Sequence, residues 1–126
     1  MAGITYDTGV LIAAERGDRR VWALHRRSLE RGMVPTVPAG VLAQSWRGGP
    51  QHQMSRLLSG CRIEPLNEAR ARSAGVACGA AGSSDVVDAS VVVGAASRGD
   101  LVVSSDGRDL ARLRNALDVE VRLRII

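Results

Sequence analysis

Short apolar runs alternate with amphipathic stretches along the whole chain, and the punctuation between them is mostly acid, glycine or proline. Ile4, Thr5 and Tyr6 read as a short buried strand, Asp7 ends it, and Thr8-Gly9-Val10-Leu11-Ile12-Ala13-Ala14 opens a helix at once. Over residues 18–31, Val21, Trp22, Leu24 and Leu29 keep roughly helical spacing among Arg and Glu, with Gly32 as the stop. Residues 34–38 predict a second strand with proline at its edges, and 39–47 a helix that Gly48-Gly49-Pro50 closes. Met54, Leu57 and Leu58 mark a helix over 51–59, and 61–66 read as a third strand. Asn67 is placed to cap a helix reaching about residue 78, after which Gly79-Ala80-Ala81-Gly82 predicts a flexible turn. Ser83 or Ser84 then caps a helix over 85–98, with Val86, Val87, Val91 and Val92 as its apolar surface. Residues 100–104 form a fourth strand, Asp106 follows directly, Leu110 and Leu113 mark another helix, and 119–123 alternate as an edge strand should. This β/α alternation predicts a three-layer α/β domain with a mainly parallel sheet.

The length of 126 residues suits one domain, spanning 1–126, with room for a core but not for a second unit. Apolar runs are too short to approach the roughly 20 residues of a membrane span. The start, Met1-Ala2-Gly3-Ile4-Thr5-Tyr6-Asp7, lacks the basic region of a secretory signal, so a cytoplasmic protein that does not enter membranes is expected. Cys61 and Cys78 have no CxxC or Cys/His spacing and read as small apolar side chains rather than a disulfide or zinc site. All 17 basic residues are Arg, against 13 acids, for a net charge of +4. Abundant Ala, Gly and Val point to a GC-rich genome, which accounts for part of the Arg excess. A basic surface around an acidic cleft would still attract a polyanion and leave the cleft to hold cations.

The chemistry lies in the acids. Asp7 and Asp106 each follow a predicted strand and precede a helix, Asp109 sits one turn behind Asp106, and Asp85 and Asp88 are three apart on a predicted helix. Carboxylates at the carboxyl ends of parallel strands point into the crevice where open α/β sheets bind ligands. Any one of them also fits a helix N-cap, but matching strand ends suggest a site for Mg2+ or Mn2+, which prefer carboxylate oxygens. Like charges held this close raise one another's pKa and need a cation at neutral pH.

The order of motifs resembles a known family. Tyr6-Asp7-Thr8-Gly9-Val10-Leu11-Ile12, then Val41-Leu42-Ala43-Gln44-Ser45-Trp46-Arg47, then Asp88-Ala89-Ser90-Val91-Val92-Val93-Gly94-Ala95-Ala96 and Leu101-Val102-Val103-Ser104-Ser105-Asp106, with 18 residues from Asp88 to Asp106, look like a PIN domain of the VapC-type toxins. The resemblance covers essentially the full chain. It implies an α/β/α PIN-like fold, a Mg2+- or Mn2+-dependent endoribonuclease acting on structured RNA such as tRNA or rRNA, a homodimer, and a small VapB-type antitoxin as partner. Asp7, Asp88 and Asp106 match the family's acids and would hold the metal for phosphodiester hydrolysis. Asp85 has no fixed counterpart, and where the family commonly has Glu this chain has Gln44, which lacks the charge to hold a second metal. Either Asp85 takes the missing role, orienting water or binding a second ion, or the site holds one metal and works slowly; the first is the reading adopted. Arg47, Arg108 and Arg112 are candidates for steering phosphates. His25 and His52 match no ligand spacing, and Trp22 and Trp46 read as core or interface.

Other classes fit less well. A phosphorelay receiver resembles this size and acid pattern but needs a late Lys, and the chain has none; the same absence removes the P-loop. No glycine fingerprint follows the first strand, which disfavours a dinucleotide-binding unit. The rival kept open is a catalytically weakened PIN-like module that binds RNA or protein without cutting, with Gln44 as its motive.

Overall fold

A computed structural model describes residues 3–126. Five strands form one parallel sheet in the order β3-β2-β1-β4-β5. They are β1 (Ile4–Tyr6), β2 (Thr36–Pro38), β3 (Arg62–Glu64), β4 (Leu101–Ser104) and β5 (Arg122–Ile125). The helices α1 (Thr8–Glu15), α2 (Arg19–Glu30), α3 (Ala39–Ser45) and α4 (His52–Ser59) connect β1 to β2 and β2 to β3. Helices α5 (Glu68–Ala81) and α6 (Val86–Arg98) lead back across the sheet to β4, and α7 (Arg108–Leu117) leads to β5. Right-handed crossovers put α1 to α4 on one face and α5 to α7 on the other. The three-layer α/β/α reading holds, and the sheet is wholly rather than mainly parallel.

The core is the pair of layers against the central strands. Tyr6, Val37, Val102 and Val103 on the inner strands are fully enclosed, as strands covered on both faces require, and so are Val10 and Leu11 of α1 and Val91 and Val92 of α6. Tyr6 donates to or accepts from His25 Nδ1 at 2.8 Å, which occupies that histidine inside the structure. Arg98, at the end of α6, knits three strands together. Its Nε donates to Asp100 Oδ2 at 2.9 Å, its Nη2 to Thr5 Oγ1 at 3.0 Å and its Nη1 to Glu64, while Thr5 donates to Asp100 at 2.8 Å. Cys61 and Cys78 are both free, Cys78 buried and Cys61 partly so.

Four local expectations change. Residues 79–81 are not a flexible turn: α5 continues through them, and only Gly82 adopts the left-handed conformation that ends the helix. Asp85, not Ser83 or Ser84, caps α6. Its Oδ1 accepts the Asp88 N–H at 2.9 Å, and Ser83 Oγ instead accepts the Asp85 N–H. The third helix stops at Ser45, because Trp46 is extended and Gln51 Oε1 accepts the Arg47 N–H. The last strand starts at Arg122, three residues later than expected, because Asp118 turns left-handed and Val119 N–H closes α7 on Arg114 C=O. Among the described residues no single helix is long and apolar enough to cross a membrane.

Candidate functional site

The chain reverses its direction of sheet growth between β1 and β4, so their carboxyl ends open the crevice that such a switch point creates. The N-termini of α1, α6 and α7 all face this end, because each helix runs antiparallel to the strand it accompanies. Their unpaired N–H groups favour negative charge there, whether from protein or ligand.

Asp7 is the fixed member of the site. Its backbone N–H donates to Val103 C=O at 3.0 Å, extending the β1–β4 ladder by one residue, and it is only 8% exposed. The fully buried Ser104 hydroxyl lies 2.9 Å from Asp7 Oδ2 and 3.0 Å from Asp106 C=O, and accepts the Asp106 N–H at 3.2 Å. A hydroxyl has one hydrogen, so it can donate to only one of these acceptors at a time. Burial pushes the Asp7 carboxyl above the usual carboxylate range and the Asp85 charge adds to this, against hydrogen bonds from the Thr8 N–H and Ser104.

Asp85 and Asp88 come in from the start of α6. Burial, then the charges of Asp85 and Asp7, then hydrogen bonding with the Asp85 carboxyl and the charge of Asp109, push Asp88 up to about 7. Among the described residues no Arg pairs with Asp7, Asp85 or Asp88. The charges of these acids act on one another: Asp85 raises Asp7, and Asp85 and Asp7 both raise Asp88.

Asp106 stands beside them through Ser104, but its side chain is drawn into its own turn. Its carboxylate is exposed, pairs with Arg108 Nη2 at 2.8 Å and accepts the Arg108 N–H, and these contacts hold its pKa below the usual range. The acid of this turn whose charge reaches Asp88 is Asp109. Asp106 thus performs the local helix-start role that any Asp before a helix can take. Gln44 does border the crevice: its Oε1 accepts the Thr8 hydroxyl at 2.7 Å, so this oxygen is already engaged beside Asp7. The start of α3 abuts that of α6, where a Cβ on Gly40 would stand 3.1 Å from Val87 Cγ2. Of the candidate phosphate contacts, Arg47 folds back on the Ala43 and Trp46 carbonyls, Arg108 serves Asp106, and Arg112 is exposed.

Sequence reasoning missed Ser104 and Asp109. A hydroxyl closing the otherwise apolar Leu101-Val102-Val103 strand was the available signal for the first. Asp109 was seen only as a follower of Asp106; it is exposed, and what reaches Asp88 is its charge.

The donor chemistry fits a hard divalent cation: oxygen ligands only, with mutual repulsion that a cation would relieve. As the side chains stand, no three acids among the described residues are close enough to share one ion, so a bound cation would have to draw them together.

No protein-family model and no curated protein matches this chain. Solved structures do. A chain of VapBC2 from Rickettsia felis bound to a DNA fragment from their promoter matches with a TM-score of 0.70 and 14% identity, covering 98% of each chain. A chain of a toxin–antitoxin complex from Klebsiella pneumoniae matches with a TM-score of 0.66 and 18% identity, covering 86% of this chain and 91% of that one. At these identities the likeness is one of fold, and the fold is the PIN-like α/β/α arrangement that the motif order implied.

Proposed function

We propose that this chain is the toxin of a type II toxin–antitoxin pair, a Mg2+- or Mn2+-dependent endoribonuclease that cuts structured RNA, tRNA or rRNA, in the cytoplasm. The observation that carries the reading is the crowding of Asp7, Asp85 and Asp88 at the switch point with no arginine pairing them among the described residues. The fold likeness to chains of a VapBC and a toxin–antitoxin complex supports the same direction, and supports a VapB-type antitoxin as the partner.

Asp7 and Asp88 would hold the ion. Asp109 is the acid of the α7 turn already in their field, and Asp106 joins only when its pair with Arg108 opens. When bound, the cation supplies Lewis acidity, polarising a phosphoryl oxygen and making water more acidic. Ser104 fixes the Asp7 carboxylate so that its oxygens do not swing out of the crevice. Asp85, tied by its Oδ1 to the Asp88 N–H, presents its second oxygen to orient an attacking water. The N-termini of α1, α6 and α7 favour the substrate phosphate that such a site must admit.

The test is incubation of total cellular RNA with the purified protein in Mg2+, Mn2+ or EDTA, beside Asp88→Ala. Discrete fragments that need the metal and vanish in the variant are expected. Folded wild-type protein that leaves RNA intact with either metal would sink the nuclease reading. The family pattern also implies a homodimer, which a light-scattering mass equal to the 13.3 kDa of one chain would overturn.

A further inference from the structure

At the end of the sheet opposite the acids, a groove of about 470 Å3 lies between α2 and β5, floored by Leu24, Met33 and the first residues of β1 and β4. Its walls are basic. Arg27 lies in the last turn of α2 and Arg31, four residues on, caps its C-terminus, while Arg122 and Arg124 stand two apart on β5 and share a strand face. Along each wall the two positions are about 6 Å apart, from the helical and strand rises. All four arginines are exposed, none makes an ion pair among the described residues, and no carboxylate lines the groove. The nearest buried acid, Asp100, is already committed to Arg98 and Thr5.

We propose that this groove is a docking site for a nucleic-acid phosphate backbone, separate from the acidic crevice. Two facing rows of guanidinium groups suit a run of successive phosphates better than one small anion, since each planar fork takes a phosphate through two N–H donors. An exposed arginine without a carboxylate keeps its donors for such a ligand. The apolar floor gives a ribose or an unstacked base a surface to rest on. Unlike the crevice, the groove needs no metal. A structured RNA is the natural occupant, and in that respect the assignment deepens the nuclease reading, but it names a surface that binds whether or not the crevice cuts.

The experiment is binding of a fluorescent hairpin RNA in EDTA, followed by anisotropy between about 50 and 200 mM salt, a range over which phosphate contacts show as a slope of log affinity on log salt. Arg122→Gln/Arg124→Gln and Arg27→Gln/Arg31→Gln break the two walls on separate elements. Arg19→Gln/Arg72→Gln removes the same charge from exposed positions elsewhere. Each wall variant is expected to bind about tenfold more weakly and to lower the slope by about one per arginine removed, with the control close to wild type. Equal losses in the control, wall variants that bind like wild type, no binding by wild type in EDTA, or equally effective competition by polyglutamate would each overturn the assignment. Retained metal-dependent cleavage alongside any of these would leave the nuclease reading intact, and a supported groove without cleavage would do the reverse.

Discussion

Two groups of acids flank the same sheet and meet opposite fates. Glu64 and Asp100 sit around Arg98, whose guanidinium reaches both carboxylates and Thr5, with Arg70 at 3.5 Å from Glu64. Asp7, Asp85 and Asp88 crowd the crevice with hydrogen bonds from Ser104 and backbone N–H groups but no arginine, and Asp88 is pushed up to about 7. The first group is complete within the protein, so its charges hold strands together. The second has no such partner among the described residues, and its crowding shows in the proton that Asp88 holds up to about pH 7. A protein with 17 arginines could have neutralised both. That it neutralises one separates scaffold from site more clearly than burial does.

The largest break in this contrast comes from Arg98→Met, which leaves Glu64 and Asp100 facing each other without their shared partner. A loss of about 3–5 kcal/mol in unfolding free energy is expected, read by urea denaturation, with Mn2+-induced stabilisation of the remaining folded protein unchanged. The next effect runs through the other group: a divalent cation at a hundred times its dissociation constant should stabilise wild-type protein by about 2.7 kcal/mol. Asp7→Asn or Asp88→Asn should abolish that gain in a thermal shift experiment. The affinity, measured by calorimetry, should rise with pH through 7, because the cation displaces the Asp88 proton.

Without cation, Asp88→Asn should stabilise the protein at pH 8 by about 1 kcal/mol, the shift being discounted because the group is half-buried. The sign follows from linkage. A carboxyl whose folded pKa is raised binds its proton more tightly in the native state, so wild-type stability from this group falls as pH rises from its unfolded value near 4 through about 7. Cation-free wild type should therefore melt higher at pH 5.5 than at pH 8, and Asp88→Asn should flatten that difference. The smallest effect belongs to Arg108→Gln: the Asp106–Arg108 pair is exposed, so the variant's urea denaturation curve should overlay that of wild type. If Asp106 enters the cation site, the same variant should tighten cation binding, and an unchanged affinity would leave Asp109 as the acid of that turn.

The β/α order of the chain was readable because the inner strands β1, β2 and β4 are short, mostly apolar runs and its helices carry amphipathic spacing, as at Val21, Leu24 and Leu29. Asp7 was legible from its place directly after β1, and the Asp85–Asp88 pair from its spacing. What resisted reading was side-chain direction. Asp85 was placed within the helix, when its carboxylate turns back to cap it. Asp106 has the right position in the chain, yet a neighbouring Arg108 captures it, a local competition that strand-end logic does not weigh. The roles of Ser104 and Arg98 depend on partners up to 97 residues away, and no local pattern announces such contacts. The run Gly79-Ala80-Ala81-Gly82 misled: Ala80 and Ala81 favour a helix and carry Gly79 with them, and only Gly82 turns left-handed.

The central position of β1 also sets a clock. One flank of this strand pairs with β2, but the other waits for β4, and the Asp7–Ser104 hydrogen bond spans 97 residues. At about 5–20 residues per second, synthesis takes roughly 5–20 s to pass from one of these residues to the other. Until then the nascent chain has an open strand edge and no support under its first acid. A ribosome-bound or truncated chain that stops short of Ser104 cannot assemble the crevice, so the first acid of the chain is made well before the hydroxyl that holds it.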